Sequence, residues 1–522
     1  SISRNKKMPT SLLKRYSGAA LWGKNNSKKA LQGILYCLFD TITIHALEES
    51  NSLSISAYGQ PMIVNSGTRY RTADGITSSY PGFTPNGNRW YYANYQNTVL
   101  IGGRTRHVQR SGAGLVDGII GENIEFGTTN AGSALGNGEH ERILYFIQPI
   151  NNISNGYFIV SDLVKPTNTS DNIAINFQLN TMKGSTQQVV KNGEYYAPIN
   201  GFVNDNHNGT EIVNLFFTSQ PHIQIQESYK ASKNNVIESD NLQANYSTNL
   251  NGELRANTII FPEDKNHKKP FIQKINGENY DGALLKHNDK FIDVFLGTDG
   301  SIGNYGDVDF NAETVFFRKE NNNISSYSIT KGTHFFERKR HIGFSSSSDI
   351  SITMEDNKGI VNTFSDTYVT FYKKNISEVF LDTVKPKLFS DLNNSIAPNT
   401  SELTETPKNA IRILIPKGRH SINITDIFGN EDGSIIHRII PNPVKDGVFH
   451  LDFSDNFVSQ KGELIITDIK GKLIKSKQLE ETLFDRKRVF TVNVEGVEKG
   501  IYFIRLISTG GLMVYSDTFI IE

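Results

Sequence analysis

The sequence predicts an all-β protein: a large antiparallel β-sandwich followed by a small immunoglobulin-like β-sandwich. Three observations carry this reading. Short apolar runs separated by Gly, Asn, Asp and Pro recur about every ten residues, the spacing of strands in a sandwich. No amphipathic helical pattern longer than two turns occurs between 50 and 380. The composition is 37% hydrophobic, with plentiful Asn, Ser, Thr, Gly and Tyr, which suits strands with long polar loops.

Taken in order, residues 1–50 form a lead-in that begins basic and polar (SISRNKKMPTSLLKRYSG) without a hydrophobic signal segment. That opening reads as the interior of a longer precursor. Within it, KALQGILYCLFDTITIHAL (29–47) is densely apolar and fits either a helix or buried strands, its β-branched TITI favouring a strand. Residues 51–383 are expected to be the large sandwich. SLSISAYG (52–59) and NTVLIGG (97–103) alternate as strands. RILYFI (142–147) and GYFIVSDLV (156–164) flank an Asn-rich turn, a hairpin signal. NIAINFQLN, TEIVNLFFT, NTIIFPED, AETVFFRKE, DISITMED and TYVTFYKK continue the series. Residues 384–435 read as a linker plus closing strands, and 436–522 as a compact module of about seven strands.

The 522 residues carry 54 basic and 54 acidic side chains, which excludes nucleic-acid binding by bulk charge. The one cysteine, Cys37, permits no internal disulfide. No run approaches the roughly 18 apolar residues of a membrane span.

The stretch 51–110 concentrates the candidate chemistry. It holds Arg69, Arg71, Arg89, Arg104, Arg106 and Arg110 against a single acid, Asp74, together with Tyr58, Tyr70, Tyr80, Phe83, Trp90, Tyr91, Tyr92 and Tyr95. Guanidinium forks match carboxylate and sulfate oxygens, and aromatic faces stack on sugar rings, so an acidic glycan is the expected partner. Here the same residues also read as sheet aromatics with snorkelling arginines. A glycoside hydrolase needs paired carboxylates, which this stretch lacks.

Two resemblances follow from these residues. IIPNPVKDGVFHLDF (439–453), GELIITDIKGKLI (462–474) and EKGIYFIRLISTGG (498–511) resemble the type A C-terminal sorting domain of the type IX secretion system of Bacteroidota. This implies the secretion machinery as a partner and a secreted or outer-surface location. SLSISAYGQPMIVNSGTRY (52–70), NYQNTVLIGG (94–103) and the hairpin 141–164 resemble the β-sandwich of heparinase II/III-like polysaccharide lyases. That resemblance implies a sandwich of the supersandwich type, with a helical toroid ahead of it in the family, and residues 1–50 are readable as the end of such a domain. It implies a carbon–oxygen lyase that cleaves a uronate-containing polysaccharide by β-elimination. The alternative is a non-catalytic glycan-binding or structural surface protein on the same fold.

β-Elimination needs a neutralised uronate carboxylate, a base at C5 and an acid at O4. His107, Tyr92 and Arg104 are the expected catalytic groups. Arg69, Arg71, Arg89, Trp90, Tyr91, Tyr95, Gln96, Asn97 and Arg106 are the expected substrate contacts, with Asn97 also readable as a loop-ordering side chain bonded to backbone. The family's histidine before NTV is Gln96 here and its acid before PG is Asn65, so no metal site and no cofactor are expected.

Overall fold

The computed structural model describes residues 10–24, 30–38, 48–65, 92–108, 112–150, 153–189, 194–199, 211–231, 236–248, 252–298, 300–373, 376–382, 384, 386, 410–426, 436–440, 443–445, 447–453, 462–479, 489–508 and 513–521. The chain divides into two compact units, one of residues 1–337, 344–369 and 414–422, the other of 338–343, 370–413 and 423–522.

The first unit is built of strands. Among the described residues its one helical element is the 3-10 turn Ala93–Tyr95. Leu12–Lys14, Gly18–Trp22, Gln32–Tyr36, Ser52–Ala57 and Gln60–Ile63 make a five-stranded antiparallel meander in chain order. The expected strand at TITI lies outside the described residues. His222–Ala231, Val236–Tyr246, Ile173–Gln178 and Val99–Ile101 form a second sheet. A third, eight-stranded sheet has Leu254–Glu263, Tyr157–Pro166 and Gly138–Ile147 at its middle. A fourth contains Phe271–Asn276, Tyr280–Lys286, Phe291–Thr298, Val308–Glu320 and Asn323–Glu337.

The eight-stranded sheet is the central layer, and this explains its sequence. Side chains alternate across a strand, so a sheet covered on both faces is largely apolar on both. In RILYFI, Leu144 and Phe146 enter one core with Leu35, Leu53, Ile55, Val99, Ile175 and Phe177. Ile143, Tyr145 and Ile147 enter the other, with Ala283, Leu285, Phe295 and Phe316. The hairpin expected there is present, with Tyr157 opposite Ile147. Phe146 and Phe158 stack at 4.8 Å on the first face, each such burial contributing about 1.5–3 kcal/mol. On the second face the tyrosine hydroxyls find partners across the layer: Tyr145 with Thr314 Oγ1 at 2.7 Å, and Tyr157 donating to Asp293 Oδ2 at 2.8 Å. Gly33 lies where the five-stranded sheet crosses this layer closely, since a Cβ there would sit 2.7 Å from the Phe158 ring.

In the second unit, Ile436–Ile440, Val448–Phe453 and Val489–Asn493 form one sheet. Leu473–Leu479, Gly462–Asp468, Gly500–Ser508 and Met513–Ile521 form another. Phe449, Leu451, Leu464, Ile466, Ile504 and Phe519 fill the space between them. The Asp468–Gly471 turn closes as the sequence indicates. Asp468 Oδ1 accepts from Lys470 N and Lys472 N, both at 2.8 Å, and Gly471 takes φ +82°.

Candidate functional site

Strand Val99–Ile101 ends in a tight turn, with Gly102 at φ +66° and Gly103 at φ +70°, conformations that favour glycine. The turn throws Arg104, Thr105 and Arg106 outward as exposed residues before His107 dips back inside. Arg106 is held on two sides. Its guanidinium lies 4.4 Å from the Tyr92 ring centroid. It donates from Nη2 (2.9 Å) and Nε (3.2 Å) to Glu48 Oε1, while its side chain stays 53% exposed. Glu48 is itself buried, and its Oε2 accepts from Ala93 N at 3.2 Å and His107 N at 3.1 Å. The carboxylate therefore ties the loop together and presets the arginine. Tyr92, Arg104 and Arg106 form a solvent-facing ledge.

The structure corrects the role expected of His107. It is buried, and Nε2 sits 3.0 Å from the Val99 carbonyl, so Nε2 carries the proton and donates it. Burial pushes its pKa down to about 4. It is a neutral core histidine that neither neutralises a uronate nor reaches a substrate proton.

Gln96 and Asn97, expected to bond the sugar, are both fully buried. Asn97 Nδ2 donates to Leu53 O at 2.8 Å, and its Oδ1 accepts from Gln178 N at 2.5 Å. Gln96 Nε2 reaches the Tyr92 carbonyl at 3.4 Å. These side chains hold strands together, because a buried amide must satisfy its own polar atoms. Tyr95 is likewise buried. Arg69, Arg71, Arg89, Trp90 and Tyr91 lie outside the described residues.

A group missed in the sequence stands beside this loop. Glu49 is partly exposed, and burial, tempered by a 2.7 Å hydrogen bond from Asn65 Nδ2, raises its pKa to about 7. Tyr36 is close enough to feel that carboxylate. Burial first and Glu49 second push its phenol up to about 12. A carboxyl poised at neutrality beside a protonated phenol is the combination acid–base chemistry requires. The adjacent acids in HALEES were the available signal.

Behind the loop is a closed polar centre. Arg142 donates from Nε (2.6 Å) and Nη2 (3.2 Å) to Asp162, and from Nη1 to the carbonyls of Asn51 (2.8 Å) and Asn97 (2.6 Å). His140 Nε2 lies 2.7 Å from Asp162 Oδ1. Burial would raise the Asp162 pKa, but Arg142 and His140 more than reverse this and hold it low. The residues here do not fit a divalent metal, since a guanidinium already supplies the cation. Among the described residues no three His, Cys, Asp or Glu groups converge as metal ligands. Nor, among them, is any helix long and apolar enough to cross a membrane.

No curated protein matches the sequence. Among solved structures, the chain is similar to heparan sulfate lyase HepC from Pedobacter heparinus at 13% identity and TM-score 0.43, covering 53% of this chain and 41% of that one. Its mutant form gives 13% identity, TM-score 0.42 and coverage of 56% and 42%. A structure of heparinase III gives 12% identity, TM-score 0.41 and coverage of 60% and 43%. The chain thus spans about two fifths of the length of those enzymes' chains. Residues 438–522 match the family described as "Secretion system C-terminal sorting domain". The protein carries a type IX sorting domain and is directed to secretion or the outer cell surface.

Proposed function

We propose that this exported protein acts on a uronate-bearing acidic polysaccharide, cleaving it by β-elimination. The observation that carries the reading is the preset Tyr92–Arg106 pair beside exposed Arg104, with Glu49, next in sequence to the Glu48 that anchors this loop, titrating near neutrality. In this reading Arg104 and Arg106 pair with the uronate carboxylate and stabilise the charge that develops as C5 is deprotonated. Ionised Glu49 takes the C5 proton. The C5–H electron pair becomes the C4–C5 double bond, the C4–O4 bond breaks, and the Tyr36 phenol delivers a proton to O4. Tyr92 offers its ring to the sugar as well as to Arg106.

The burial of His107, Gln96 and Asn97 favours a second reading, in which the ledge binds acidic glycan without cleaving it. Incubation with heparan sulfate, chondroitin, hyaluronan and alginate separates the two. A rise in the ultraviolet absorbance of the unsaturated uronate, lost in Glu49→Gln, supports the lyase. Retention on immobilised glycan without product selects the binding protein. No retention and no product overturns both.

A further inference from the structure

A cleft of about 450 Å³ opens in the first unit, lined by strands of three different sheets. Tyr195 comes from Glu194–Pro198 of the eight-stranded sheet, Ile223 from His222–Ala231, and Phe271 from Phe271–Asn276. Its volume falls in the range of small-ligand sites, about 300–1,000 Å³. Nothing in the ledge described above belongs to it.

The lining has a specific chemistry. Its floor is aromatic, with Tyr195 and Phe217 meeting edge to face at 6.0 Å. On the rim Phe271 is 63% exposed, far more than a core phenylalanine. Gln188, Gln220 and Gln273 surround it as exposed amides, each offering two N–H donors and a carbonyl acceptor. The one charged lining residue is Lys274, and no lining residue is a carboxylate.

We propose that this cleft is a second saccharide-binding site, taking a sugar unit that carries one carboxylate or sulfate. Phe271 receives the C–H face of the ring, the three glutamines bond its hydroxyls, and Lys274 pairs with the acid group as a point charge. The assignment rests on the preceding section only for the kind of polymer. The cleft and the ledge share no residue, so each can be lost without the other.

Calorimetry on the full chain with size-defined uronate oligosaccharides and a neutral oligosaccharide tests it. Phe271→Ala alters an exposed position and Lys274→Gln a half-buried one, and thermal melts verify that both fold. Phe271→Ala is expected to weaken oligosaccharide binding about tenfold, equivalent to about 1.4 kcal/mol. Lys274→Gln is expected to weaken the acidic ligand and leave the neutral one unchanged. The double variant Arg104→Ala/Arg106→Ala should retain cleft binding. Wild-type affinity in both cleft variants overturns this site and leaves the ledge standing. Binding lost in the ledge variant but intact in the cleft variants does the same. Cleft binding without any ledge contribution upholds the site and removes the function proposed above.

Discussion

Asn65 Oδ1 accepts from both the backbone N–H (2.8 Å) and the side-chain Nδ2 (3.0 Å) of Asn97, and its own Nδ2 reaches Glu49 Oε2 at 2.7 Å. Asn65 closes strand Gln60–Ile63 and Asn97 opens strand Val99–Ile101, so the pair joins the two ends of the Arg- and aromatic-rich excursion. It also sets the carboxyl that titrates near neutrality. An acid at position 65 would keep the acceptor that faces Asn97 but set a carboxylate oxygen against Glu49 Oε2, where Asn65 Nδ2 now donates.

Replacing Asn97 with Ala leaves the Leu53 carbonyl and the Gln178 N–H buried without partners. Stability is expected to fall by about 2–4 kcal/mol. Urea unfolding measures the loss. Glycan affinity per folded molecule should stay at the wild-type value, whereas a sugar-contacting Asn97 would lower it.

Glu49 governs a neutral-pH limb. Its folded pKa, about 7, lies above its ordinary value, so the ionised base accumulates as pH rises through 7. Product formation is expected to climb over that interval, and Glu49→Gln should abolish it. The same shift makes Glu49 stabilising below about 4.5, and this contribution is lost as pH rises through 7. Glu49→Gln should therefore flatten that part of the stability curve.

His107 and His334 make the fold acid-sensitive. Burial lowers both to about 4. The unfolded chain then binds protons that the folded chain refuses. Stability from these groups is complete above about 6.5 and declines as pH falls toward 4. For buried His107 the loss is about 3 kcal/mol. Chemical denaturation of His107→Asn between pH 7 and 4.5 should show a shallower decline than wild type.

Asp162→Asn removes the partner of a fully enclosed Arg142. A buried guanidinium without its carboxylate costs about 3–5 kcal/mol. The variant is expected to melt well below wild type even in high salt, since screening does not reach this pair.

Arg104→Ala and Arg106→Ala should each reduce acidic-glycan binding and the steepness of its salt dependence. Both guanidinium groups stand in solvent where ions compete. Arg106→Lys should recover little, because a lysine cannot reproduce the fork on Glu48 or the stack on Tyr92. Retention on immobilised glycan across a salt gradient measures both effects.

Much of the architecture was legible in the chain. RILYFI and GYFIVSDLV read as paired strands. The Asp468–Gly471 turn, the PNP lead-in and GIYF carried the sorting module. The site was less legible. Gln96, Asn97 and His107 looked like sugar and proton contacts because polar residues beside aromatics on a strand suggest a surface. Glu49 carried no signal in the string, because its raised pKa comes from burial in the folded chain.

Alternation, turn chemistry and the tail motifs by themselves determined that this is an exported protein of stacked β-sheets, since these signals are local and survive in a bare string of residues. Which polar groups meet solvent was decided only when distant strands closed over one another. Covering sends the amides of 96–97 to the backbone, neutralises the imidazole at 107 and lends Arg142 to Asp162. It leaves Arg104 and Arg106 outside, because the glycine pair at 102–103 turns the chain outward before it returns.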